Sequence, residues 1–260
     1  MKNNLLLAVL VHSLACASCA SVKVIPRLGQ MNIDGHIGIA DASTGVTATN
    51  DLDTLGLDDD SSVFSGRVDL QGGGAHATFA LSSSSHGGTG VATATLDDGS
   101  GSTVMAGSMV DSDFDVTLGE AIVTWDLIPG EAIELGIGLG ASVFDLDGAL
   151  TDLTSGDTVD ANQAVPIPVL AVRGGIDLGR LDFSALLGGV DVNIGGDEAS
   201  FYDLDLMARL ELFGKGGKVL GDVVLGYRYV DLQVDYEDGS EAVDAAVRLS
   251  GPYLGLSIGF

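Results

Sequence analysis

Apolar residues alternate with polar or small residues along much of this chain, and a period of two predicts β-strands. The clearest case is residues 200–212, where every even position from Tyr202 to Leu212 is apolar. The odd positions from Asp203 to Glu211 are charged, apart from Met207. Ten such segments can be recognised, at residues 31–40, 63–71, 75–82, 114–128, 133–144, 165–177, 181–192, 200–212, 219–236 and 243–260. The pattern therefore predicts an all-β protein.

The connections between these segments alternate in length. Those that follow even-numbered segments are short, such as residues 72–74 and 178–180, whereas most of the others are longer. The longer connections contain many acidic residues and no Lys or Arg. Short turns at one end and longer loops at the other are typical of outer-membrane β-barrels.

The last ten residues carry a more specific signal. Leu254, Leu256, Ile258 and Phe260 alternate with Gly and Ser, and the chain ends on the aromatic ring. This segment resembles the closing strand of bacterial outer-membrane β-barrels, and residues 225–231 resemble the penultimate one. The resemblance does not identify a subfamily. It implies an insertion signal made of Tyr253, Leu256, Ile258 and Phe260.

The expected fold is a closed, antiparallel, transmembrane up-and-down β-barrel of ten strands, or of eight if the second and third segments form a loop hairpin. Strands nine and ten change their apolar face partway along. A β-bulge would produce such a change, and Gly251-Pro252 is the expected place for one in strand ten. The alternative is that these strands are assigned one residue too long.

Residues 1–20 have the features of a signal peptide, with Lys2, an apolar core over residues 5–14 and small residues at 18–20. Cleavage would leave residues 21–260 as a single barrel domain without cysteine, since Cys16 and Cys19 are the only two. A lipidated Cys16 or Cys19 is the alternative. Export of a barrel predicts the outer membrane of a Gram-negative-type bacterium.

Charge excludes one class of partner. The chain has 37 acidic and 11 basic residues, a formal net charge of −26, yet its mean hydropathy is positive. Disordered chains have low hydrophobicity, so the composition of this chain argues against disorder. No basic stripe is present to neutralise phosphates, and we expect no nucleic acid partner.

If the apolar face meets lipid, the other face lines a lumen, where arginines and carboxylates should pair. The predicted lumen charge network is Arg67, Asp69, Glu120, Glu134, Arg173, Asp203, Asp205, Arg209, Glu211, Asp222, Arg228 and Arg248. A salt-bridged core that supports the barrel is the first interpretation. A narrow porin-like channel for ions or small solutes is the second, because inward glycines in strand five would leave free volume.

Enzymatic and metal chemistry have less support. His36 and His76 are expected on the inward face, and His86 in a Ser-rich loop, where a rim dyad with Ser85 or with a loop Asp is conceivable. We expect no enzyme and no cofactor. Asp-rich fragments suggest a weak cation site without completing a calcium loop, and these candidates are Asp51, Asp53, Asp58, Asp59 and Asp60.

The sequence thus predicts a structural or surface-interaction role with strongly anionic extracellular loops. A channel, an outer-membrane enzyme with a rim histidine and a soluble secreted β-protein are the alternatives. The expected partners are outer-membrane lipid, the barrel-assembly machinery through the C-terminal strand, and divalent cations at the loops.

Deleting Phe260 should impair assembly in cells far more than refolding in detergent, because only cells use the terminal ring as a recognition signal. The measurement compares folded protein in membrane fractions with refolding yield in micelles. Equal losses in the two settings would contradict the prediction.

Overall fold

The computed structural model describes residues 21–41, 46, 48–57, 61–97, 102–128, 132–194, 197–213, 220–238 and 241–259. The predicted signal peptide, with Cys16 and Cys19, and the terminal Phe260 lie outside these residues. No helix in the described part of the chain is long and apolar enough to cross a membrane.

The described residues form thirteen β-strands. They are β1 (Ser21–Asp41), β2 (Asn50–Asp51), β3 (Ser61–Gly72), β4 (Ala75–Val91), β5 (Leu96–Asp97), β6 (Thr103–Val104), β7 (Met109–Ile128), β8 (Ile133–Asp152), β9 (Thr158–Asp177), β10 (Leu181–Ile194), β11 (Asp197–Phe213), β12 (Leu220–Asp238) and β13 (Glu241–Gly259).

Ten of these strands form one antiparallel ring. Its order is β1, β3, β4, β7, β8, β9, β10, β11, β12, β13, and β13 pairs with β1 to close it. The two-residue strands β2, β5 and β6 belong to the connections that follow β1 and β4. This confirms the ten-stranded up-and-down barrel. The eight-strand alternative is wrong, because β3 and β4 are full members of the wall.

The wall strands are longer than predicted, and several reach 19 to 21 residues. About 9–11 tilted residues suffice to cross a bilayer, so these long strands have about twice the length that such a crossing requires. The prediction started β1 at residue 31 and ended β4 at residue 82, but β1 begins at Ser21 and β4 continues to Val91. The Ser-rich segment is therefore strand and not loop.

The apolar face of the wall points outward in one half of the barrel and inward in the other. We call the end with the Gly73–Gly74 turn, Ser21 and Gly259 the lower end. In the lower half of β13, Leu254, Leu256 and Ile258 are exposed on the outside. In its upper half, Val247 and Leu249 are buried inside and Arg248 is exposed.

The predicted bulge at Gly251-Pro252 is wrong. Pairing between β12 and β13 is continuous from Leu220 opposite Gly259 to Asp238 opposite Glu241. The apolar residues change face because those of the lower half are exposed on the outside, whereas those of the upper half are buried in a core inside the barrel.

The first predicted strand was assigned to the wrong faces for the same reason. Met31, Ile33 and Ile37 are buried inside the barrel, while Asn32 and Asp34 are exposed outside. This part of β1 belongs to the upper half, where an apolar face points inward.

A hydrophobic core fills the upper half. Leucines from the connection after β1 pack there with apolar residues of β5 and β6 and with phenylalanines of the wall. These fully buried residues include Leu52, Leu55, Leu57, Leu96, Val104, Phe114, Phe144 and Phe201. We refer to residues 48–57, 92–97 and 102–108 as the plug.

Asn50 joins the two parts of the plug. Its side chain is fully buried. The Oδ1 atom accepts hydrogen bonds from the backbone N–H groups of Thr93 (2.7 Å) and Ala94 (2.9 Å), and Nδ2 donates to the Ala94 carbonyl at 3.2 Å. Leu52 N–H donates to the Gly35 carbonyl of β1 at 2.9 Å. The leucines are thus held inside the barrel by satisfied polar groups.

Substitutions at two adjacent residues of β13 test which face of its upper half points into the barrel. Val247→Lys should lower the free energy of unfolding by at least about 3 kcal/mol, because it buries an unpaired cation in the upper core. Ala246→Lys, one residue away on the outer face, should change it by about 0.5 kcal/mol or less. Urea unfolding of the refolded protein in micelles measures both. A larger loss for Ala246→Lys would show that the faces are reversed.

Candidate functional site

The lower half of the lumen contains a buried network of ion pairs. One centre is Asp205 on β11, which accepts hydrogen bonds from Arg27 (2.8 Å), Arg67 (2.9 Å) and the hydroxyl of Tyr253. The Arg27 guanidinium also lies 4.5 Å from the centroid of the Tyr253 ring. Arg67 further donates to Asp69 at 2.7 Å. This cluster connects β1, β3, β11 and β13 across the line where the barrel closes.

A second centre is Arg228 on β12. It pairs with Asp203 of β11 and Glu120 of β7, each at 2.5 Å, and donates to the Ser82 hydroxyl of β4 at 3.2 Å. All four side chains are largely or fully buried. Charges removed from water are costly unless they are paired and hydrogen-bonded. Here each partner comes from a different strand, so the pairs fix the distances across the lumen.

The third centre, Arg173, lies nearer the lower end. It pairs with Glu134 and Asp126 and donates to the Thr124 hydroxyl at 3.3 Å. His76 Nε2 lies 3.3 Å from the same Asp126 carboxylate.

The lower mouth has charges of its own. Arg209 pairs with Asp182 there at 2.6 Å. A polar cavity of about 200 Å³ opens beside them, and Lys23, Gln71 and Asp177 contribute to its lining.

Eleven of the twelve predicted network residues occupy inward positions of the lower half. Glu211 and Asp222 lie opposite each other near the mouth and form no ion pair with a described residue. The twelfth assignment, Arg248, is wrong. Its side chain lies outside the upper half, within 3.3 Å of Asp34 and 3.2 Å of Asp231, and is 45% exposed. The strand assignment placed it inside because it assumed one lipid-facing side for the whole of β13.

Four members of the network are absent from the twelve predicted residues. Arg27 was placed before the first strand, Asp126 and Asp182 were not assigned to the network, and Tyr253 was assigned to the insertion signal only. Val22, Val24 and Leu28 share one parity, and Lys23 and Arg27 share the other. This alternation would have extended β1 far enough to include Arg27.

The rest of the predicted insertion signal lies on the closing strand. Leu256 and Ile258 face outward and are exposed, whereas Tyr253 faces the lumen. Phe260 lies outside the described residues. Recognition of this strand by the assembly machinery stays a prediction.

The glycines of β8 do not leave lumen volume. A Cβ atom on Gly138 would lie 1.9 Å from the Val123 carbonyl oxygen, and one on Gly140 would lie 2.4 Å from that of Ala121. The backbone of β7 therefore lies where a side chain would start at these two positions, so their lack of side chains does not by itself indicate a passage.

The rim dyad of His86 and Ser85 is also wrong. Both residues lie on β4, and neighbouring residues on a strand point to opposite faces. His86 faces the interior and is buried, whereas Ser85 is exposed outside and donates to Asp115. His36, expected inside, lies on the outer face 3.2 Å from Asp244.

The Asp-rich metal candidates lie in the connection after β1. Asp53 accepts the backbone N–H of Thr54 at 2.6 Å, and Asp51 is exposed beside it. Residues 58–60 lie outside the described part of the chain. Within that part, no group of three or more potential ligands is arranged to hold a metal ion.

The outer face of the upper half is acidic. Asp111, Asp113 and Asp115 of β7 and Asp145 and Asp147 of β8 are exposed there. All of them except Asp115 lie on strand where a loop was predicted. Asp115 lies directly opposite Asp147, and like charges in that position repel. The chain has no Lys or Arg between residues 67 and 173 that could compensate. We call these five residues the anionic wall.

The Asp152 carboxylate, at the upper end of β8, accepts hydrogen bonds from two neighbouring segments. The Ser108 hydroxyl donates to it at 2.6 Å and the Thr154 N–H at 2.7 Å. These hydrogen bonds hold the pKa of the Asp152 carboxyl below its usual range. The plug is thereby tied to the connection between β8 and β9.

Asp205→Asn should lower the free energy of unfolding by roughly 3–5 kcal/mol, because it leaves Arg27 buried without a counter-charge and leaves Arg67 with Asp69 alone. Arg248→Ala removes ion pairs of an arginine that is 45% exposed, and Asp231 keeps its hydrogen bonds from Tyr229 and Gln233. This variant should cost about 1 kcal/mol or less. Urea unfolding in micelles gives both values. Similar losses for the two variants would contradict a structural role for the buried network.

No family model and no curated protein matches this chain. Among solved structures it is similar to the outer membrane protease OmpT from Escherichia coli, with 9% identity and a TM-score of 0.50, covering 92% of this chain and 97% of that one. It is also similar to the β domain of the Bordetella autotransporter BrkA (12% identity, TM-score 0.36, 92% and 99% covered). The translocator domain of the autotransporter NalP from Neisseria meningitidis has 12% identity and a TM-score of 0.39, with 98% and 95% covered. The OmpT likeness concerns the fold alone, and together with the closed ring of ten strands it shows that this chain has the fold of a bacterial outer-membrane β-barrel.

Proposed function

We propose that this protein is a non-conducting outer-membrane barrel whose upper half projects from the cell and serves as an interaction surface for cations and cationic partners. The location is supported by exposed apolar side chains around the lower half, such as Leu139, Leu170 and Leu256. Large apolar side chains exposed all around one half of a barrel suit lipid and not water.

The observation that carries the proposed role is the anionic wall. Repulsion between Asp115 and Asp147 costs stability, and no Lys or Arg of the neighbouring strands offsets it. Cations from outside can supply the missing charge. Divalent ions, basic peptide segments and other polycations have the required chemistry, whereas nucleic acid would be repelled.

The plug and the network weigh against the channel alternative. A conducting path would have to pass the buried leucines of the plug, Leu52, Leu55 and Leu57. Below them it would meet the ion pairs of Arg228 with Asp203 and of Arg27 with Asp205. The enzyme alternative loses its rim dyad, because His86 and Ser85 face opposite sides of β4.

Millimolar Mg²⁺ should raise the melting temperature of the refolded protein more than NaCl at matched ionic strength, because a divalent ion relieves the repulsion in the wall. The variant Asp113→Asn/Asp115→Asn/Asp145→Asn/Asp147→Asn should melt higher in low salt and respond less to Mg²⁺. One relieved kcal/mol corresponds to a shift of roughly 2–4 °C. Thermal unfolding in micelles measures the shifts.

Ser83→Asn/Thr117→Asn is the control, since it adds amides to the same face without removing charge. This variant should respond to Mg²⁺ as the unmodified protein does. An equal Mg²⁺ response in the neutralised variant would overturn the proposed role of the wall. Stepwise conductance in planar bilayers would overturn the non-conducting part of the proposal.

A further inference from the structure

The wall is incomplete between β9 and β10. Their pairing runs from Asp177 opposite Asp182 only as far as Leu170 opposite Gly189. Above this point, residues 158–169 of β9 continue to pair with β8, and residues 190–194 of β10 pair with β11. Among the described strands, none pairs with this upper edge of β9.

Two prolines explain where the pairing ends. Pro166 and Pro168 lie in the unbroken ladder between β8 and β9, opposite Val143 and Ala141. A proline has no N–H, so this ladder can continue only if both ring nitrogens point away from β8, toward β10. Continuing the register would place Asp191 opposite Pro168, where β10 finds no donor.

Above the prolines the same edge regains its donors. The N–H groups of Asp160, Asn162 and Ala164 have the same parity as the prolines and therefore point away from β8. All three residues are exposed. The edge thus offers alternating N–H and C=O groups over residues 158–164, which is what an added strand requires.

Side chains around this edge define the strand that fits. On the outer face, Asn162 lies opposite Asp147 and Ala164 opposite Asp145, and Asp160 is exposed nearby. On the inner face, Val159 is buried and Val165 half-buried. An added strand would therefore place basic residues outside and apolar residues inside.

We propose that the upper edge of β9, over residues 158–164, is a docking site for an extended segment of a partner protein in which basic and apolar residues alternate. The preference for basic residues rests on the proposed function of the anionic wall, whereas the strand pairing rests on the β9–β10 gap. A second copy of this chain is a poorer occupant, because it would bring Asp160 and the wall acids against their own copies.

The probe is a fluorescent synthetic heptapeptide, Lys-Val-Arg-Val-Lys-Val-Arg, whose binding to the refolded protein in micelles is followed by anisotropy. It should bind more tightly than a peptide of the same composition with its three valines grouped. Asn162→Pro/Ala164→Pro removes two edge donors without interrupting the β8 ladder. It should weaken binding by about tenfold or more.

N-methylated peptides provide a readout on the unmodified protein, in case the proline variant fails to fold. Methylation of alternate amides along one peptide edge should abolish binding, and methylation of the other edge should preserve it. Equal binding of both methylated forms, or of the grouped peptide, would overturn the docking site while leaving the anionic wall intact. Binding that is lost only in the neutralised wall variant would also overturn the docking site and leave the anionic wall intact. If no basic peptide binds, the result would contradict both the docking site and the proposed role of the wall. A protein-concentration-dependent dimer that excludes the peptide would assign the edge to a second copy instead.

Discussion

The constraint on which this structure depends is that one ring of strands passes through two different surroundings. Lipid cannot hydrogen-bond an open edge, so the ring must close where it crosses the bilayer. The strands are about twice as long as that crossing requires. In the lower half the apolar side chains must face outward, and in the upper half they can form an ordinary protein core. The inversion along β13, from outward Leu254 to inward Leu249, is the direct consequence.

This inversion also separates what could be predicted from what could not. Alternation depends only on the strand, so the number and order of the wall strands could be predicted. Which face is the inside depends on depth in the membrane, which a period of two does not encode. Arg228 and Asp205 lie low in the barrel and were placed correctly, whereas Arg248, His36 and Met31 lie high and were not. Leu52 and Asn50 were missed because their roles depend on contacts between two distant loops.

The interface where β1 and β13 close the ring lacks some backbone hydrogen bonds and is supported by side chains inside the lumen. Pro26 and Pro252 lie on these strands, and the continuous ladders to β3 and β12 direct both ring nitrogens toward this interface. The pairing between β1 and β13 accordingly has no Pro26–Leu256 pair and no Gln30–Pro252 pair. Arg27 of β1 and Tyr253 of β13 meet the same Asp205 inside the lumen. A charged cluster thus compensates at the place where the ladder lacks donors.

Four of the five prolines therefore lie at two interfaces of the ring, and the two interfaces behave differently because of their depth. The Pro26 and Pro252 interface lies in the lower half, where an open edge would face lipid, and there the strands stay together. The Pro166 and Pro168 interface begins just above Leu170, which is still exposed on the lipid-facing side, and there the strands separate. Backbone groups that point into this gap can be satisfied by water or by another chain. The depth of each proline, and not its presence alone, determines whether it leaves a bonded interface or an open edge.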